Sequence, residues 1–315
     1  MLARMILPYG AGAILLSLLL MSGCVSRNEA GADLQTSINR LLNGAPGIVY
    51  VNAKNLVTGE EFERNADTPV RTASTIKLPI MVACFRAVGE GIARWDEPIA
   101  ITEDTRVSGS GVIREFADGT VLTLRDLMHV MIVISDNTPT NMILKRLGAD
   151  YVNDTMQQLG FEQTRSMRRV RGDGTQLKDA VGWSREGEKE ENKRFGIGRS
   201  TAREMGRLLE MLEDGKVIST EASAEMLGVL KRQQLMNGIG RRWVDQGDVS
   251  VASKSGALDT LRSDVGIVYH PKGRLVVAIT IEELPGPDYS ADNPGNRLIS
   301  DLTGVLLEEM VIRAS

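Results

Sequence analysis

Ser74 and Lys77, in the stretch Ser74-Thr75-Ile76-Lys77, are the residues whose types and spacing first suggest chemistry. A serine hydroxyl becomes a useful nucleophile only with a base in hydrogen-bond reach. Residues three apart share one face of a helix, so the Lys77 amine can stand beside the Ser74 hydroxyl. A lysine is a poor base while charged, and burial or a neighbouring cation lowers its pKa by disfavouring that charge. Lys254 could supply such a cation. A helix N-terminus beneath Ser74 would offer free N–H groups to a developing oxyanion. In isolation, S-x-x-K far more often marks a helix-capping serine and a lysine pointing to water.

Two later stretches displace that bland alternative: Ser135-Asp136-Asn137, then Lys254-Ser255-Gly256, in that order. From about residue 31 to the C-terminus the chain resembles the class A β-lactamases and penicillin-binding proteins, whose signature is this triplet. The resemblance implies that Ser74 is the nucleophile and Lys77 its base, and that Ser135 carries a proton to the leaving nitrogen. It implies that Asn137 binds the substrate amide, that Lys254 and Ser255 hold the substrate carboxylate, and that Gly256 leaves room for the ligand. The backbone N–H groups of Ser74 and Ala257 would form the oxyanion hole. Serine replaces threonine in the third motif and keeps the hydroxyl.

One departure stands out. Class A enzymes carry E-x-x-L-N in the loop before the late helices, and anchoring on Thr164-Arg165 places that glutamate at Val170. Asp173, Asp179, Glu186, Glu188, Glu190 and Glu191 follow, and none matches the motif. The base that would activate the deacylating water is unassigned.

The chain has 315 residues, 42% hydrophobic and 25% charged, with formal net charge -4. No basic block interleaved with aromatics occurs, which argues against a nucleic-acid partner. His129 and His270 are not in metal-ligand spacing, so neither a metal nor a cofactor is expected. His129 lies in an apolar helical stretch and His270 before a Pro-Lys-Gly turn, which also disfavours a Ser-His-Asp triad. A monomer is expected.

The N-terminus reads as a targeting segment, outside the fold. Arg4 flanks an apolar run at 11–21 that is short for a membrane span. The run ends in Met21-Ser22-Gly23-Cys24, which resembles a bacterial lipobox with methionine at its first position. Residues 1–23 would be a lipoprotein signal peptide, Cys24 the lipidated first residue, and 24–33 a tether to the membrane on the periplasmic or extracellular side. Ordinary secretion without lipid is the alternative. Cys84, the other cysteine, reads as a small core residue.

Hydrophobic periodicity places the motifs. Leu34, Ile38, Leu41 and Leu42 predict an amphipathic helix, followed by a hairpin over 47–53 and 60–64. Pro79 belongs in the first turn of a helix packing 80–88 inward. Thr123 to Asp126 opens a buried helix delivering Ser135 at its end, and Pro139 suits the first position of the next, which Gly148 ends. Residues 109–111, Gly-Ser-Gly, read by default as a flexible connection; the resemblance puts them on the cleft border. The irregular 165–200 segment carries a charged run at 185–194, a solvated face by default. Helices follow at 201–212 and 220–231, strands at 249–254, 264–269 and 275–281, and a closing helix through Met310. The expected fold is α/β (α+β): an antiparallel sheet flanked by N- and C-terminal helices, with an all-helical lobe inserted. The catalytic domain would span 34–315, its sheet lobe about 34–72 and 245–315 and its helical lobe about 73–244.

The leading functional expectation is a serine hydrolase opening β-lactam rings through a Ser74 acyl-enzyme, with slow deacylation. The alternatives are a peptidoglycan D-Ala-D-Ala peptidase or esterase on the same scaffold, and a penicillin-binding lipoprotein without turnover. The substrate in each case is a β-lactam or a peptidoglycan-like small molecule.

Overall fold

Side-chain alternation across one five-stranded sheet divides the core in two. The computed structural model describes residues 34–172, 181–244 and 246–314. A helix described over 34–42 (α1) precedes β1 (Ile48–Asn55), β2 (Glu61–Arg64) and the short β3 (Val70–Arg71). The middle of the chain holds α2 (Lys77–Gly89), β4 (Pro98–Ala100), β5 (Val121–Thr123), α3 (Leu124–Val133), α4 (Asn137–Leu147) and α5 (Ala149–Gln158). Then come β6 (Arg165–Ser166), α6 (Arg185–Glu188), β7 (Gly198–Ser200), α7 (Ala202–Glu213) and α8 (Thr220–Leu230). The chain closes with β8 (Ser250–Leu258), β9 (Leu261–His270), β10 (Gly273–Glu282) and α9 (Pro294–Leu307).

The large sheet runs β2-β1-β10-β9-β8 and every neighbouring pair is antiparallel. On β10, Leu275, Val277, Ile279 and Ile281 pack with Leu34, Ile38, Leu302 and Leu306 of the terminal helices. Val276 and Ala278, between them, pack on the other face with Ile80, Met128 and Leu208. The period of two sends alternate residues to opposite faces, so one strand seals both cores. This is the expected antiparallel sheet with terminal helices on one face and a helical insertion on the other.

Several local expectations need correction. Ser74 is not on a regular helix: Ala73–Ile76 is a 3-10 turn, and α2 begins only at Lys77. Pro79 does sit in the first turn of α2, where its missing N–H removes no helical bond. α3 opens on the Thr123–Asp126 capping box but ends at Val133, leaving Ser135 in the turn beyond. Pro139 is the third residue of α4, not the first, because Asp136 caps that helix from within the second motif. Two small sheets, β3-β7-β6 and β4-β5, were not foreseen; two- and three-residue strands carry no periodicity to read. The β6–β7 pairs Arg165↔Arg199 and Ser166↔Gly198 close the base of the irregular segment.

Candidate active site

The position of Ser74 is set by pins on both sides. Thr72 N donates to Gly198 O (3.0 Å), and Val70 pairs with Ser200. Ala73 then adopts φ +47°, a left-handed conformation that a residue with a Cβ takes at a cost of about 1–2 kcal/mol. Ser74 follows, half-buried, in the 3-10 turn. The edge strand β8 runs against this turn so closely that a Cβ on Gly256 would stand 2.9 Å from Thr72 O and 3.0 Å from Ser74 N. Strain of this kind persists only where the surroundings over-determine it.

Ser135 is the second left-handed residue of the site, at φ +58°. It follows directly after α3 and precedes the α4 cap. Asp136 fixes that corner: its Oδ1 accepts from Thr138 N (3.0 Å), and its Oδ2 from Val112 N (2.6 Å) and Ile113 N (2.8 Å). Asn137 N donates to Ser110 O (3.0 Å), and its Nδ2 to Ser108 O (3.1 Å). The Gly109-Ser110-Gly111 segment is therefore no free connection but a wall laid on the second motif. Gly109 and Gly111 have φ +94° and +105°, and a Cβ on Gly111 would fall 2.0 Å from the Asp136 carboxyl carbon.

Both lysines are fully buried and converge on Ser135. Lys77 Nζ donates to Ser135 O (2.6 Å) and Asn137 Oδ1 (2.8 Å) and lies 3.2 Å from Ser135 Oγ. Lys254 Nζ donates to Ser135 Oγ (3.0 Å) and to Ser255 O (2.7 Å). Burial first, then the charge of Lys254, holds Lys77 well below the usual lysine range, with Asp136 opposing. Burial lowers Lys254 to about 7, with Asp264 opposing. Of the expected residues, Lys77, Ser135, Asn137 and Lys254 thus form one hydrogen-bonded cluster. Ser74 and Gly256 meet at backbone level beside it, while half-buried Ser255 and exposed Ala257 continue β8. The expected Lys77–Ser74 hydrogen bond is not made: the amine turns instead to Ser135 and Asn137.

Asp264 was missed. It lies on β9 opposite Ser255, 1% exposed, with Oδ2 accepting from Ile239 N (2.9 Å), and burial raises its pKa to about 7. A carboxylate at the head of the apolar 265–269 stretch, following the K-S-G strand, was the available signal. Val170 is buried, and its backbone is held by Asn141, whose Oδ1 accepts from Val170 N (2.7 Å) and whose Nδ2 donates to Val170 O (3.0 Å). Glu186 is engaged by Lys189 (2.7 Å) and Asn192, Glu190 pairs with Lys193 (2.5 Å), and Glu188 and Glu191 are exposed. The charged run is a solvated face. Asp173 and Asp179 lie outside the described residues, as do Cys24 and the signal and tether segments. Among the described residues no cluster of metal-ligating side chains occurs, and no helix is long and apolar enough to cross a membrane. His129 sits by Arg232 on α3 and His270 accepts from Lys272 N in the β9–β10 turn, both away from the cluster. Cys84 is wholly buried, and burial pushes its thiol up to about 12.

A serine held in a turn behind a strained Ala73, and two buried lysines that meet on the oxygen of a second serine, fit a serine hydrolase of the acyl-transfer kind. The model of the β-lactamase enzyme family matches residues 33–310, and the chain belongs to that family. It is 25% identical to Beta-lactamase 3 of Bacillus cereus over 288 residues, 91% of this chain and 82% of that one. Among solved structures it is similar to the β-lactamase of Sphaerobacter thermophilus (TM-score 0.74, 30% identity, covering 87% of this chain and 95% of that one). It also shares its fold with PBP-A, solved as a leucine-to-glutamate variant in an acyl-enzyme complex with penicillin G (TM-score 0.73, 24% identity, 88% and 95% covered).

Proposed function

We propose that the chain opens β-lactam rings through an acyl-enzyme on Ser74. Ser74 Oγ attacks the ring carbonyl carbon while its proton passes to Lys77 Nζ, a base because burial disfavours its charge. The oxyanion sits between the N–H groups of Ser74 and Ala257. The ring C–N bond breaks, and the nitrogen takes the Ser135 hydroxyl proton, which the Lys77 ammonium replaces. Lys254 and Ser255 hold the substrate carboxylate and Asn137 its amide. Free enzymes often carry long catalytic hydrogen bonds that tighten with substrate, so the Lys77 amine can swing to Ser74 from its resting partners. The observation that carries this reading is the convergence of Lys77 and Lys254 on Ser135 Oγ, at 3.2 and 3.0 Å.

A second reading keeps the nucleophile and changes the substrate: a D-Ala-D-Ala peptidase or esterase, or a penicillin-binding protein that holds its adduct. Val170 at the position of the deacylating glutamate supports it. Intact-mass spectrometry followed over time after mixing with a penicillin separates the two. An adduct that forms and clears with product, or product with no lasting adduct, supports the hydrolase; an adduct that persists supports the second reading; neither adduct nor product overturns both. The Met21-Ser22-Gly23-Cys24 stretch after an apolar run supports a protein held at the membrane by a lipidated Cys24.

A further inference from the structure

We propose that Asp264, behind the active-site strand, is a positioning residue that keeps the shared proton on Lys254 and so leaves Lys77 as the neutral base. This rests on the acyl-transfer reading above. The hydrogen-bond inventory around Ser135 carries it. A serine oxygen has one proton to give and two lone pairs, and a neutral amine has two protons and one lone pair. If both lysines were charged, Ser135 Oγ would accept from both and its own proton would face two cations. With Lys77 neutral every group is satisfied. Its two protons go to Ser135 O and Asn137 Oδ1, and its lone pair accepts the Ser135 hydroxyl proton. Lys254, charged, then donates to Ser135 Oγ and Ser255 O and keeps a third proton for a substrate carboxylate. The chain of bonds runs one way, from Lys254 through Ser135 to Lys77. Once Lys77 takes the Ser74 proton, the last bond reverses and frees the Ser135 proton for the leaving nitrogen.

What makes Lys254 rather than Lys77 the charged partner is the carboxylate behind each. The charges acting on Lys77 are Lys254 and Asp136, and Asp136 is already compensated by three backbone N–H groups from Val112, Ile113 and Thr138. The one acting on Lys254 against burial is Asp264, and the charge acting on Asp264 is Lys254. Asp264 is 1% exposed; Oδ2 accepts from Ile239 N, the Val265 N–H and the Ser253 hydroxyl also favour its charge, and Oδ1 makes no hydrogen bond of ordinary length among the described residues. Gly238 closes over it so tightly that a Cβ there would stand 2.6 Å from Oδ2. A buried carboxylate is tolerated when a cation shares its field. The register Ser255↔Asp264, next to Lys254↔Val265, sets that cation one residue away on the neighbouring strand.

The test is a lysine side-chain NMR titration of the full chain, with the two signals assigned from Lys77→Arg and Lys254→Arg proteins. In the wild type, Lys254 holds its proton at a pH where Lys77 is neutral. Asp264→Asn keeps an acceptor for Ile239 N and removes the charge. It moves the Lys254 titration down by roughly one unit, and the alkaline limb of penicillin acylation moves with it. An unchanged Lys254 titration in Asp264→Asn, or a wild type with Lys77 charged and Lys254 neutral, overturns the inference. The wild-type order decides alone should the variant not fold. Absence of both a penicillin adduct and ring-opened product would instead overturn the proposed function, and the titration would still be read.

Discussion

Lys77 and Lys254 reach one oxygen, Ser135 Oγ, from opposite sides of the cleft, the first from α2 and the second from the edge strand β8. The two lysines are not equivalent. Lys77 touches Ser135 and Asn137, whereas Lys254 lies beside the strand where a carboxylate would dock. Lys77→Ala is expected to slow penicillin acylation by about 100-fold or more, the scale of a lost general base, on every substrate alike. Lys254→Ala is expected to weaken carboxylate-bearing substrates far more than neutral esters. Acylation should rise with pH as Lys77 loses its proton and fall as Lys254 loses its own, around pH 7. Stopped-flow acylation of matched acid and ester substrates reads all three; equal losses on both would remove Lys254 from the carboxylate site.

Gly256 has a steric duty that its motif only hinted at. A methyl group there would press on Thr72 O and Ser74 N, the backbone already strained at Ala73. Gly256→Ala should therefore destabilise by about 1–3 kcal/mol, the scale of overpacking, and cut acylation by about 100-fold, the scale of a lost oxyanion donor. A loss under about threefold would mean the turn relaxes without moving the nucleophile.

Asp136 is the corner post of the helical side. Removing its carboxylate strands three N–H groups, one of them at the α4 N-terminus. Charge-assisted bonds contribute about 1.5–3 kcal/mol each and a lost cap about 1 kcal/mol, and such losses are not additive. Asp136→Ala should destabilise by about 3–5 kcal/mol in urea titration, with acylation falling because Asn137 and the 109–113 wall lose their anchor. A change below about 1 kcal/mol would assign the corner to packing alone.

Cys24→Ser tests the proposed anchor. Two acyl chains bind a membrane durably where one does not, so the variant should leave the membrane fraction. Unchanged fractionation, with no lipid mass on the wild-type N-terminus, would remove the lipid from the proposal.

The three motifs were legible because acyl transfer demands particular side chains at short spacings, and the sheet because its strands alternate. What escaped notice depends on contacts between distant segments. Ala73 and Ser135 show no sign in the sequence that they are left-handed; β8 and the Asp136 corner force them. The Gly-Ser-Gly wall looked like a loose connection because the groups that hold it, Asp136 and Asn137, come some 25 residues later. Asp264 was hidden for the opposite reason: beside Arg262 and Ser263 it reads as the polar start of the 264–269 strand, and only the ladder places it behind Lys254. Lys77 was expected to bond Ser74 by helical spacing, but the 3-10 turn before α2 and the acceptors on Ser135 and Asn137 draw it away.

Deacylation is the step for which the described residues supply no obvious base. An ester on Ser74 is hydrolysed only if a water is positioned and deprotonated. Val170 cannot accept a proton, and its backbone is clamped by Asn141 from α4. Glu186 and Glu190 are committed to lysines, and Asp136 to backbone N–H groups. Loss of a general base typically slows a step by ~10²–10⁴-fold, enough to convert fast turnover into a lasting acyl-enzyme. The expected behaviour with a chromogenic cephalosporin is a burst equal to the enzyme present, then slow release. Val170→Glu alone should not restore turnover, because the side chain would start from a buried position whose backbone Asn141 fixes. Steady turnover above roughly 10 s⁻¹ with no burst would sink the idea, since that is the ordinary pace of an enzyme with every step assisted. It would then direct the search for the base to Asp173 and Asp179.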